Sequence, residues 1–156
     1  MDILLTAAGL LMALVAGVFL SFSDFVMRGL AEAPEGHGAA GMVGLNRTVY
    51  RSAFMGLLMG FAPGSLALAA LALWHLDGAA RVVVVAGTGA YILGVMAVTG
   101  LGNVPMNTRL DDLSRSAEGT SGYWPGYAAR WTRLNHLRVA ASTFAAAAWL
   151  MAAQLA

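Results

Sequence analysis

Four long apolar runs dominate the chain and predict four membrane-spanning helices. The runs cover residues 3–22, 54–74, 82–101 and 139–155. None of them contains a formal charge, and each approaches the ~20 residues needed to cross a ~30 Å hydrocarbon layer. Together with their flanks they predict an all-α integral membrane four-helix bundle that forms a single domain over residues 1–156. The predicted helices cover residues 3–30, 43–74, 82–107 and 125–155.

Polar side chains at helical spacing gather at one end of each run. In antiparallel membrane helices these ends converge on one face of the bilayer, where the polar groups would line a pocket for a ring-shaped ligand. The alternative is that each asparagine only caps a helix or bonds to a neighbouring helix. The inward-facing candidates are Asp24, Asn46, Tyr50, Asn103, Asn107, Trp131, Asn135 and Arg138.

Two opposite charges lie at matching depths of the first and last runs. Asp24 follows the end of the first run and Arg138 directly precedes the last, so the two side chains are predicted to pair across the bundle. The competing interpretation pairs Asp24 with Arg28, one helical turn later, and leaves the Arg138 side chain snorkelling towards water.

Composition places the chain in a membrane and excludes several classes of function. Hydrophobic residues make up 59% of the chain and charged residues only 11%, which is too little charge for the surface of a soluble domain. The net charge of +1 provides no field for holding nucleic acid. The absence of cysteine excludes disulfides, thiolate metal sites and a cysteine nucleophile.

The arginines are distributed unevenly and predict an orientation. Nearly all of them border the first and third connections, whereas the second connection has only Arg81. By the positive-inside rule, loops 31–42 and 108–124 are cytoplasmic and both termini lie outside, which suits the inner membrane of a bacterium.

A small-residue repeat runs along the second predicted helix. Gly56, Gly60 and Gly64 recur every four residues and remove the side chains from one face. Such a face favours close packing of another helix, including the helix of a second copy in a homo-oligomer, more than it favours a ligand channel.

Four segments of the chain resemble the anthrone oxygenase-like family of small four-helix membrane proteins, most of which have no assigned reaction. The most specific of them are the Asn-Val-Pro-x-Asn pattern and the Trp, Asn and Arg of the last helix. The resemblance extends over nearly the whole chain. The matching segments are Ser21 to Met27, Asn46 with the helix after it, Gly102 to Asn107, and Trp131 to Arg138.

The resemblance implies that the protein oxidises a hydrophobic, anthrone-like aromatic molecule with O2. Because anthrone enolates can pass an electron to oxygen without a metal, neither metal nor cofactor is expected. Asp24 would be the base, with His136 as second candidate. The remaining roles are enolate stabilisation by Arg138, Asn103 and Asn107, and contact with the substrate by Tyr50, Trp131, Asn46 and Asn135.

Two other functions remain open from the sequence. The first is electron transfer by a haem- or quinone-binding membrane protein, in which His37 and His136 would be axial haem ligands. The second is a transporter or an accessory subunit without enzymatic activity. Four spans are few for a transporter, and no inverted repeat is visible in the hydropathy.

Overall fold

The computed structural model describes residues 1–156 and is helical throughout, without strands. The all-α prediction is confirmed, but the chain forms five helices rather than four. The helices are α1 (Asp2–Glu32), α2 (His37–Val49), α3 (Ala53–His75), α4 (Gly78–Ser114) and α5 (Trp124–Leu155).

The predicted helix 43–74 is wrong, because the chain turns between α2 and α3. Ser52 has an extended backbone (φ −98°, ψ 155°), and its hydroxyl accepts a hydrogen bond from the Met55 amide at 3.2 Å. This is N-capping, which satisfies one of the free amides at the start of α3. The predicted loop 31–42 is also mostly wrong, because α2 already begins at His37.

Helix α4 continues through Pro105 instead of ending near residue 107. Two π-helical segments, Tyr91–Ala97 and Thr99–Asn103, lie within α4, and the second ends just before this proline. A proline lacks an amide hydrogen and crowds the carbonyl of the preceding turn, so a widened turn accommodates it. The end of the third helix predicted at residue 107 is therefore wrong.

Helix α5 is the centre of the bundle and packs closely on α1 and α4. Glycines lie at these helix contacts, because the absence of a side chain lets two helix axes approach each other. Gly87 lies against Trp149, and Gly94 lies against Ala141. Gly9 on α1 lies in the same way against Leu150.

Two hydrophobic cores follow from this arrangement. The larger one joins α1, α3, α4 and α5 along most of the bundle. The smaller one lies at the end of the bundle where α2 crosses, and we call this the polar end because the predicted polar clusters lie there. Its buried members are Met27, Ala39, Met42, Val43, Met106, Leu110, Tyr127 and Trp131.

Three helices, α1, α3 and α4, are long and apolar enough to cross a membrane, which indicates a membrane protein. Helix α5 is not among them. Arg138, Ser142 and Gln154 lower its hydropathy, and alanine rather than leucine fills much of its length. The fourth predicted span therefore stays a prediction.

The glycine repeat of α3 faces outward. A side chain added at Gly56, Gly60 or Gly64 would meet no atom within 4 Å, so no helix of this chain packs there. These glycines line an apolar groove of about 400 Å³ between α3 and α1. Helix contact through this face in an oligomer stays a prediction.

Candidate functional site

A larger cavity of about 700 Å³ lies at the polar end, and all five helices contribute to its wall. Most of the wall is apolar or aromatic, and the polar groups are few. Its aromatic and methionine members include Phe19, Phe22, Phe54, Met42, Met55 and Met96, and its amide and guanidinium members are Asn46, Asn103, Asn107 and Arg138.

The cavity opens towards the surface where its wall residues are themselves exposed. Tyr50 is 60% exposed, Met59 is 42% exposed and Leu45 is 39% exposed. Gly100, on the opposite helix, is exposed as well. The mouth therefore lies between the turn that joins α2 to α3 and the π-helical part of α4.

Arg138 is a buried cation without a carboxylate partner. Its side chain belongs to none of the ion pairs of the chain, and the residue is only 5% exposed. One terminal nitrogen donates to the Thr99 hydroxyl at 3.3 Å, and the other donates to the Asn135 side-chain oxygen at 2.8 Å. A guanidinium keeps its charge at neutral pH, so these neutral partners orient the cation without neutralising it.

Two aromatic rings flank the same guanidinium. Its central carbon lies 4.5 Å from the centroid of the Phe19 ring and 5.0 Å from that of Trp131. Both distances are within the range of cation–π attraction, which offsets part of the cost of removing the cation from water. The guanidinium is thereby fixed in the wall of the cavity.

Asn135 lies behind Arg138 and is anchored to α1. Its amide nitrogen donates to the Phe19 carbonyl at 2.6 Å and to the Ser23 hydroxyl at 2.7 Å. Ser23 belongs to a π-helical turn, Phe22–Val26, and such turns re-aim side chains. Asn135 therefore links α1 to the guanidinium and does not itself line the cavity.

Asn107 holds the other side of the cavity together. Its side-chain oxygen accepts hydrogen bonds from the Tyr127 hydroxyl at 2.8 Å and from the Trp131 indole at 3.0 Å. The Asn46 amide donates to the Tyr127 oxygen at 3.4 Å, which brings α2 into the network. Burial raises the pKa of the Tyr127 hydroxyl above its ordinary value, so it remains a donor at neutral pH.

Two buried side-chain atoms at the site have no hydrogen-bond partner within the protein: Oδ1 of Asn103 and Nε of Arg138. Asn103 is 1% exposed, and its amide nitrogen donates to the Trp131 carbonyl at 3.4 Å. A buried polar atom without a partner costs about 1–3 kcal/mol. Both residues belong to the cavity wall.

Most of the residues singled out in the sequence meet at the cavity. Those that line it are Asn46, Tyr50, Asn103, Asn107, Trp131 and Arg138. Tyr127, Thr99 and Phe19 were missed. Tyr127 lies one helical turn before Trp131 on the same face of α5, and this spacing was the available signal.

Asp24 and His136 are not brought to the cavity. Both are exposed, and neither belongs to its wall. The predicted ion pair between Asp24 and Arg138 is wrong, because the two side chains form no ion pair. The alternative is wrong as well: Asp24 forms no ion pair with Arg28, and Arg138 is buried rather than snorkelling towards water. Asp24 follows the inward-facing Ser23, and His136 follows the inward-facing Asn135. Because a helix turns by about 100° per residue, the side chains of Asp24 and His136 are directed away from the cavity.

The histidines do not supply ligands inside the cavity. His37 begins α2 and is exposed, as is His136 on α5. The cavity wall therefore contains neither of the two histidines that were predicted as axial haem ligands. No group of three or more His, Asp or Glu side chains is placed to hold a metal ion.

Fold and site together define a small helical membrane protein with an aromatic-walled cavity at one end of its bundle. A family model described as anthrone oxygenase matches residues 46–148. The chain belongs to this family, which confirms the resemblance found in the sequence and suggests an anthrone-oxygenase-like function at the level of the family. No curated protein and no solved structure matches the chain.

Proposed function

We propose that the protein oxidises an anthrone-like polycyclic ketone with molecular oxygen inside the cavity at the polar end. The observation that carries the proposal is the buried, unpaired guanidinium of Arg138 in a largely apolar wall. A cavity of about 700 Å³ is within the range of sites that enclose small ligands. Phe19, Phe22 and Trp131 give the wall an aromatic character that suits a fused ring system.

The reaction is a four-electron exchange between one carbon and O2. The benzylic CH2 group of the ketone loses two hydrogens and becomes a second carbonyl, whose oxygen comes from O2. The other oxygen atom leaves as water, so one anthrone and one O2 give one anthraquinone and one water. The ketone must first lose a benzylic proton, since its enolate is the electron-rich form that reacts with oxygen.

Arg138 is the group that favours this proton loss. Negative charge develops on the ketone oxygen as the enolate forms, and a fixed cation in an apolar wall stabilises it. No carboxylate or imidazole lines the cavity, so the acidity of the substrate is raised by the cation rather than by a strong base. The proton would leave to water at the mouth.

The network around Asn107 has a positioning role in this proposal. It joins α2, α4 and α5 through Asn46, Tyr127 and Trp131, so the ring that faces the substrate is held by two other helices. The orientation proposed for the chain places this end in the cytoplasm, because the arginine-rich connections lie there. A hydrophobic substrate would reach the mouth from the bilayer.

Oxygen uptake by the detergent-purified protein tests the proposal. Addition of an anthrone should consume one O2 for each anthraquinone formed, measured with an oxygen electrode and by absorbance. Arg138→Gln should lower kcat/KM about 100-fold, because it removes the charge from the stabilising group. The matched control is Arg133→Gln, an exposed arginine on the same helix, which should turn over like the wild type.

Two results would contradict the proposal. The first is uptake no faster than the uncatalysed oxidation, and the second is equal rates in Arg138→Gln and Arg133→Gln. An absorbance band of bound haem in the purified protein would favour electron transfer instead.

A further inference from the structure

One face of α5 is directed away from the other helices and carries a line of exposed apolar side chains. Leu137, Phe144 and Met151 recur every seven residues, which places them in line along the helix, and each is more than half exposed. We call these three residues the outer stripe. Because α5 packs along α1 and α4, which are long and apolar enough to cross a membrane, the outer stripe is positioned to contact lipid chains.

Two arginines continue the outer stripe towards the polar end. Arg130 precedes Leu137 by seven residues and Arg133 precedes it by four, so both arginines lie on the same face of the helix as the stripe. Both are exposed. Helix α5 contains no aspartate and no glutamate, so the stripe ends in positive charge alone.

Neither arginine has a carboxylate partner, because all the ion pairs of the chain are formed by other arginines. The hydrogen bond from Asn135 to Ser23 sets Arg133 about level with Asp24, the first charge after the apolar run of α1. Asp24 forms no ion pair either. Arg130 and Arg133 are therefore free cations at the depth where the apolar part of the bundle ends.

An anionic phospholipid complements this face of α5. Its acyl chains are apolar, and its headgroup phosphate carries a negative charge that attracts arginines at the membrane surface. A guanidinium can also donate paired hydrogen bonds to phosphate oxygens. We propose that this face binds an anionic phospholipid, with the phosphate at Arg130 and Arg133 and an acyl chain along the outer stripe. This binding goes beyond the oxidation proposed for the cavity and does not depend on it.

The charge of the face favours a lipid over the other possible occupants. A second copy that met this face through its own α5 would bring four arginines together without a carboxylate, and like charges repel each other. A free phosphate ion would contact the arginines but leave the apolar stripe unused. A zwitterionic lipid has the same chains, but its own cation offsets the charge of its phosphate.

Native mass spectrometry of the detergent-purified protein tests the proposal. The protein is titrated with an equimolar mixture of phosphatidylglycerol and phosphatidylcholine that carry the same acyl chains, and each bound lipid is identified by its mass. The wild type should bind phosphatidylglycerol about 25-fold more tightly, since each arginine contributes roughly a factor of five to the attraction of an anionic headgroup. The preference should fall as the concentration of ammonium acetate is raised, because salt screens exposed charges.

A matched pair of double variants locates the lipid. Arg130→Gln combined with Arg133→Gln should bind the two lipids about equally. The control is Arg28→Gln combined with Arg51→Gln, which removes two other exposed and unpaired arginines of the polar end and should keep the preference. All four positions are exposed, so both double variants should fold like the wild type, which circular dichroism checks.

Four results would overturn the proposal. The first is equal binding of the two lipids by the wild type, and the second is a preference that survives the loss of Arg130 and Arg133. The third is displacement of phosphatidylglycerol by inorganic phosphate, which would identify a free anion as the ligand. The fourth is a dimer of the wild type that the loss of these two arginines abolishes without any change in bound lipid, which would assign the face to a second copy.

Discussion

Arg138 shows how a membrane protein can keep a cation in its interior without cancelling the charge. Removal of a guanidinium from water is costly, and a carboxylate is the usual partner that offsets the cost. Here two neutral oxygens and two aromatic faces take that place. The charge of Arg138 is therefore not cancelled, and the guanidinium can still attract an oxyanion or a polarised oxygen.

Helical spacing in the sequence predicted the α5 part of the site and failed at two individual positions. Trp131, Asn135 and Arg138 share a face, and the structure brings them together as expected. Asp24 was chosen because it is the one acid at the end of an apolar run, but Ser23 faces α5 instead. The π-helical turn around Ser23 alters the phase of the helix, and no periodicity of apolar residues reveals such a turn.

The geometry predicts that neither Asp24 nor His136 is needed for turnover. Asp24→Asn and His136→Gln should each keep kcat/KM within about threefold of the wild type, because surface substitutions away from a site change energies little. Oxygen uptake with an anthrone measures both. A loss of tenfold or more in either variant would restore the role of base that the sequence assigned to that residue.

At the scale of elements, the break between α2 and α3 is the main departure from expectation. Apolar residues continue on both sides of Tyr50 to Ser52, so hydropathy alone predicts one helix. The signal was Ser52, a residue type favoured as an N-cap, directly before the apolar run of α3. The break lets α2 cross the polar end and close one side of the cavity.

The contact between α4 and α5 depends on glycine, and Gly94 is its most sensitive position. A Cβ added there would collide with the Cβ of Ala141, which cannot swing away as a long side chain could. Gly94→Ala should therefore destabilise the protein by about 1–3 kcal/mol through overpacking. Thermal unfolding in detergent, followed by circular dichroism, measures the loss.

Two further variants test that explanation. Ala141→Gly in the background of Gly94→Ala should recover most of the stability, because it removes the colliding atom. Gly89→Ala, on the same helix but with no atom within 4 Å of the added Cβ, should be neutral or slightly stabilising. Equal losses in Gly94→Ala and Gly89→Ala would point to helix propensity or backbone effects instead.

At the scale of the molecule, the sequence predicted the helical membrane architecture and the end of the bundle where polar groups meet. It predicted four equivalent spans, whereas only α1, α3 and α4 are long and apolar enough to cross a membrane. Helix α5 buries Asn135, Arg138 and Ser142 against its neighbours, while Phe144 and Met151 on its other side are exposed. A helix at the centre of a bundle can carry serine and an arginine on the face that other helices cover.

The proposed orientation can be tested with single cysteines, because the natural chain has none. Ala79→Cys lies at the end opposite the cavity, and Ser116→Cys follows α4 at the polar end; both positions are exposed. In intact bacterial cells a membrane-impermeant maleimide should label position 79 only, and lysis should expose position 116. Labelling of position 116 alone before lysis would reverse the orientation.

The proposed entry of the substrate through the mouth between Tyr50, Met59 and Gly100 determines the phase from which the site would draw it. A polycyclic aromatic molecule partitions into lipid, so the concentration that governs occupancy is its mole fraction in the membrane. Addition of lipid or detergent lowers the mole fraction of the aromatic molecule in the membrane phase, even when its total concentration in the sample is unchanged. Under the proposed function, a Michaelis constant would therefore be expressed as a mole fraction of the substrate in lipid or detergent, and the amount of amphiphile would have to be stated with it.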